Sequence, residues 1–91
     1  MSDRRKECQK VLDSEVRRWS AMSWEQLVSE LRDHQTYEVE LDSKTCQVEV
    51  ELLENTEKYV HVMVAVNDGR LPASFLPLTE TFICEKLPPT V

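Results

Sequence analysis

The sequence predicts an α+β fold: two N-terminal helices packed on one face of a three- to four-stranded antiparallel meander sheet. Two observations carry this reading. Apolar residues recur at helical spacing over about residues 3–32. From Tyr37 the period changes to two and holds through three successive segments, with the turn signals "DSKT" and "ENTEK" between them. Ninety-one residues leave room for one core, so the chain reads as a single domain over 1–91. Its helical part covers about 3–32, its sheet part about 36–86, and 87–91 form a proline-bearing tail. A domain of this size buries only about 60–65% of the surface its unfolded chain exposes, so its stability margin is thin.

The first helix is predicted from Asp3 to about Ala21. Cys8, Leu12, Val16 and Trp19 recur at steps of four, four and three, and Val11 widens the stripe. Asp13 and Arg17 form an i,i+4 pair on the other face. Arg4, Arg5 and Lys6 stand at the positive end of the helix dipole, which favours fraying of that turn. "SWEQ" then restarts a helix over about 24–32. Ser23 is its N-cap and Gln26 its capping-box partner; Met22 and Leu27 occupy the staple positions.

Tyr37, Val39 and Leu41 alternate with Glu38, Glu40 and Asp42 in the first strand. Cys46, Val48, Val50 and Leu52 alternate with Gln47, Glu49 and Glu51 in the second, and Val60, Val62, Val64 and Val66 with Tyr59, His61, Met63 and Ala65 in the third. Turning the first hairpin on Ser43-Lys44 pairs Val39 with Val48 and Tyr37 with Val50. Closing the second at Asn55-Thr56-Glu57 pairs Leu52 with Val60 and Val50 with Val62. Both registers keep the apolar sets on one face, and they set Glu38 opposite Glu49 and Glu51 opposite His61. After the "NDGR" turn, "LPASFLPL" is apolar but is interrupted by Pro72 and Pro77. "TETFICEK", residues 79–86, reads as a fourth strand.

Charge and composition exclude several functions. The net charge is −6. Residues 1–20 hold six basic and four acidic side chains, giving +2, while 21–91 hold five and thirteen, giving −8. Such a balance repels phosphates and anionic lipid, so neither nucleic acid nor a membrane is an expected partner. No apolar stretch approaches the roughly 18 residues of a membrane span, and "MSDRRKECQK" lacks the apolar segment of a secretory signal. The three cysteines, Cys8, Cys46 and Cys84, include no C-x-x-C pair, which with their odd number suits a cytoplasmic protein. The only glycine, Gly69, sits in a turn, which argues against a phosphate-cradling loop. No metal or cofactor is expected, because the carboxylates do not follow a cation-loop pattern.

The sequence therefore predicts a small acidic interaction module of adaptor, chaperone or inhibitor type rather than an enzyme. One candidate surface is apolar: Leu71, Phe75, Leu76 and Leu78 of the proline-held segment, together with Trp24. The other pairs charges: Glu38, Glu40, Glu49 and Glu51 on the sheet and Arg4, Arg5, Arg17 and Arg18 on the first helix, joined between two copies or satisfied by a basic partner. The alternative reading is a small-ligand pocket near Trp19, Trp24 and Tyr37, and a more remote one is an enzyme using His61 with Glu51, or Cys84.

Overall fold

The computed structural model describes residues 3–41, 44–67 and 77–86, and within them the side chains of 3–5, 41 and 44 are left aside. Helix α1 spans Asp3–Ser20 and α2 spans Trp24–Glu30; strands β1 Gln35–Leu41, β2 Lys44–Asn55, β3 Tyr59–Asn67 and β4 Leu78–Glu85 follow. The strands form one antiparallel sheet in the order β1-β2-β3-β4. Both helices lie on the same face, with α1 chiefly over β3 and β4. The chain is an α+β domain.

Alternation decides which face the helices cover. Val48, Val50, Val60, Val62, Val64 and Val66 are all fully buried, and all sit at alternate positions of their strands. Each buried valine contributes about 1.5–3 kcal/mol relative to exposure, so this row is the main reason the sheet is covered at all. Cys8, Val11, Leu12 and Trp19 of α1 and Leu27 and Leu31 around α2 close over it. The corner between the helices is tight: the Met22 amide donates to the Trp19 carbonyl at 3.1 Å. Ser23 caps α2 by accepting from the Gln26 amide at 3.1 Å. The helix ends at Glu30, two residues before the expected Arg32, where Gln35 Nε2 donates to the Glu30 carbonyl at 2.8 Å.

The faces agree with the alternation, but both hairpin registers differ from the expected ones by two residues. Tyr37 pairs with Val48 and Val39 with Cys46, because β1 and β2 meet at Leu41 and Lys44 rather than one residue further along. Val50 pairs with Val64 and Leu52 with Val62. A two-residue slip leaves every side chain on its own face, so burial cannot choose between these registers; the closing loop does. In the second hairpin Thr56 closes that loop. Its Oγ1 accepts from the Lys58 and Tyr59 amides, each at 3.1 Å, and its own amide donates to the Tyr59 carbonyl at 2.9 Å. A β-bulge between Leu52 and Glu54 then shifts the register by one more residue, leaving Leu53 as the extra residue.

Leu78 begins β4 one residue earlier than expected, and β4 pairs with β3 along its whole length as an edge strand. Its end is tied down by Lys86, whose amide donates to the Lys58 carbonyl at 2.8 Å and whose Nζ donates to Asn55 Oδ1 at 2.7 Å. Because Leu27 is fully buried and Leu53 is 43% exposed, the same chemical change at the two sites should differ sharply. In urea unfolding, Leu27→Ala is expected to cost about 2–5 kcal/mol, whereas Leu53→Ala stays within about 0.5 kcal/mol.

Candidate functional site

The face of the sheet turned away from the helices is built from the other half of each strand. On β1 and β2 it carries Glu38, Glu40, Glu49 and Glu51, all exposed. The observed register sets Glu38 beside Gln47 and Glu49 beside Thr36, so the expected Glu38–Glu49 opposition does not occur. Glu51 stands beside Met63, not His61. His61 instead pairs with Glu54, with Nδ1 3.9 Å from Glu54 Oε1, and the same carboxylate accepts from the Tyr59 hydroxyl at 3.0 Å. That hydrogen bond moves the exposed Tyr59 hydroxyl above its ordinary pKa.

On β3 and β4 the same face is mixed, with Met63, Ala65 and Ile83 set among Tyr59, His61, Thr79, Thr81 and Glu85. Met63 is half-buried beside Thr81, and His61 stands beside Ile83, which is 56% exposed. Leu53, displaced by the bulge, is the other large exposed apolar side chain among the described residues. The face thus joins an acidic half to a mixed half that displays Ile83 and Met63, with Glu54 and His61 at the seam. Six glutamates occupy it, Glu38, Glu40, Glu49, Glu51, Glu54 and Glu85; among the described strand residues no lysine or arginine shares it.

The basic residues expected to answer these acids are elsewhere. Arg17 and Arg18 lie on α1, on the opposite side of the sheet, with Arg4 and Arg5 in the first turn of the same helix. Arg18 is engaged in a polar clamp between α1 and β1. Its Nη2 donates to Glu15 Oε1 at 3.1 Å and to the Tyr37 hydroxyl at 2.9 Å. Trp19 Nε1 also donates to that hydroxyl, at 2.8 Å, and the hydroxyl donates to Glu15 Oε1 in a short hydrogen bond. Glu15 is 8% exposed, a depth at which a carboxylate needs such donors. Its only sign in the sequence is its place in the apolar stripe of α1, between Leu12 and Trp19. Burial, and then the bond to Glu15, move the Tyr37 hydroxyl above its ordinary pKa of 10.0.

Trp19 and Tyr37 are therefore in direct contact. Trp24 is half-buried against the core, with Lys86 Nζ 4.7 Å from its ring centroid, beyond the end of β4, whereas the Tyr37 row reaches β4 at its start, Leu78. The structure does not gather the three aromatic residues into one site. Leu78 is half-buried against the core; Leu71, Phe75 and Leu76 lie outside the described residues. Cys84 is half-buried, its Sγ 4.0 Å from the Met22 carbonyl oxygen. Among the described residues no group of three His, Cys, Asp or Glu side chains is placed to hold a metal ion, and no helix is long and apolar enough to cross a membrane. Ile83 and Leu53 were missed as surface residues, yet both break the alternation: Ile83 follows Phe82 directly, and Leu53 follows Leu52.

No protein-family model, curated protein or solved structure matches the chain.

The clamp yields a stability test. Tyr37→Phe removes the oxygen that Trp19 and Arg18 donate to and the proton that Glu15 accepts, and is expected to cost about 1–3 kcal/mol, against less than about 0.5 kcal/mol for Tyr59→Phe. Because the Tyr37 pKa is raised in the folded chain, its contribution is complete below pH 10.0 and is lost as pH rises through the higher folded value. Denaturant midpoints measured from pH 8 to pH 11 should accordingly fall at the alkaline end in the wild type and fall less in Tyr37→Phe.

Proposed function

We propose that the chain is a non-enzymatic interaction module of the cytoplasm that receives a basic protein partner on the open face of its sheet. The observation that carries this reading is the composition of that face: six carboxylates with no lysine or arginine among the described strand residues, flanked by exposed Leu53 and Ile83. Carboxylates in rows repel one another mildly, and exposed large apolar side chains gain by burial, so one binding event relieves both costs. The fitting partner lays lysines or arginines over β1 and β2 and apolar side chains over Met63 and Ile83. Adaptors, chaperones and inhibitors bind in this manner, with charge steering the encounter and the apolar strip holding the complex.

Charge also argues for a partner other than a second copy. A two-fold dimer through the open faces packs like surfaces together and sets glutamates against glutamates. Arg17 and Arg18 of α1 stand behind the sheet, on the side opposite the acidic face. Three cysteines, an odd number and all free thiols, fit a reducing compartment.

The test is the affinity for a fluorescent peptide of alternating lysine and leucine, followed by anisotropy. Glu49→Lys with Glu51→Lys should weaken binding by about tenfold or more, and Ile83→Thr should weaken it as well. Glu25→Lys with Glu30→Lys on α2 changes net charge equally and should leave the affinity within about twofold. Equal losses from both charge pairs would show that only overall acidity attracts the peptide, and would overturn the assignment of the face.

A further inference from the structure

We infer that Cys8 and Cys46 form an oxidisable dithiol that closes to an intramolecular disulfide when hydrogen peroxide reaches the core. Their sulfur atoms are 3.7 Å apart, in van der Waals and S–H···S contact, between α1 and β2. Cys8 is 1% exposed and Cys46 3%, so the pair is sealed under the first helix. A bonded pair needs about 2.05 Å between sulfurs, so the thiols must close by well under one atomic diameter.

The third thiol cannot compete. Cys84 pairs with Val60, which pairs with Asn55 on β2, whereas Cys46 lies at the other end of β2. At a rise of about 3.3 Å per residue those two rows stand roughly 30 Å apart. Oxidation inside one molecule thus has one geometric outcome.

Entry for a water-sized oxidant comes from the helix itself. Cys8 sits in the second turn of α1, behind Arg4, Arg5 and Lys6, whose charges oppose the dipole of the N-terminus. Local opening of that end exposes Cys8 without unfolding the sheet. The Cys8 sulfur attacks one peroxide oxygen; the O–O bond breaks, a sulfenic acid forms, and the departing hydroxide takes the thiol proton as water. The Cys46 sulfur then attacks the sulfenic sulfur, expelling hydroxide, which leaves with the Cys46 proton as a second water. Two thiols lose two electrons in all, and one peroxide becomes two waters. The bond pins α1 to β2 and closes the chain between residues 8 and 46. No cysteine lies on the open face, so this device is separable from docking there.

The experiment uses the full chain carrying Cys84→Ala, with the wild type alongside, treated with hydrogen peroxide and then alkylated in denaturant. The expected product is monomeric, lighter by two hydrogen atoms and without alkylatable thiols. It yields a linked peptide containing Cys8 and Cys46, and its Tm is about 10 °C higher, a gain that dithiothreitol removes. Thiols that remain fully alkylatable, cysteines carrying added oxygen in place of the link, or covalent dimers would each overturn the proposal.

Discussion

A β-strand sends successive side chains to opposite sides, and in this chain nearly everything else depends on how the valines use that constraint. Six valines of β2 and β3 fall on one side and are fully buried there. That single row determines where α1 and α2 pack, which side of the sheet is left open, and therefore where the glutamates are displayed. Burial of the row supplies a large share of the apolar driving force in a domain whose size leaves little in reserve. The glutamates between the valines then have no role in the core, and their position follows from the valines.

At the margins of the sheet polar contacts add to the packing of the partly buried Val39, Leu78 and Phe82. At the β1 edge the Tyr37 hydroxyl sits between Glu15, Arg18 and Trp19, joining the end of α1 to the outermost strand. At the other margin Lys86 joins the end of β4 to the β2–β3 loop through Asn55 and Lys58, and places its ammonium group over Trp24. Each clamp uses a long side chain to fasten an element whose own apolar area is small. Each also spends a residue that composition alone would assign to the surface. Arg18 is the plainest example: it reads as a solvent-facing cation of α1, but it serves a buried carboxylate.

Face, element order and the N-cap of α2 were legible in the sequence because each is set locally. Ser23 accepts from the Gln26 amide as its spacing predicts, and the valines face the helices as their alternation predicts. Register was not legible, since a slip of two residues preserves every face and the deciding contacts are the closure at Leu41–Lys44 and the hydrogen bonds of Thr56. The bulge at Leu53 had a sign in the Leu52-Leu53 doublet; the two-residue slip took His61 away from Glu51, and the bulge set it beside Glu54 rather than Leu53. Glu15 had a sign too, an acid within an apolar stripe, but its partner Tyr37 lies 22 residues away, and no periodicity connects the two. The acidic side of the open face was visible from the first strand onward. Its apolar side was not, because Ile83 follows Phe82 and either residue could have faced the core.

The functional reading rests on the open face being truly uncovered in solution. The direct measurement is the relaxation of side-chain methyl groups by a neutral, water-borne paramagnetic agent, followed by NMR. The account predicts strong relaxation of Leu53 and Ile83, intermediate relaxation of Met63, and almost none for Val62, Val64 and Leu27. Protection of Leu53 and Ile83 to the level of the buried valines would contradict it, since the face would then already be covered by another part of the chain or by a second copy.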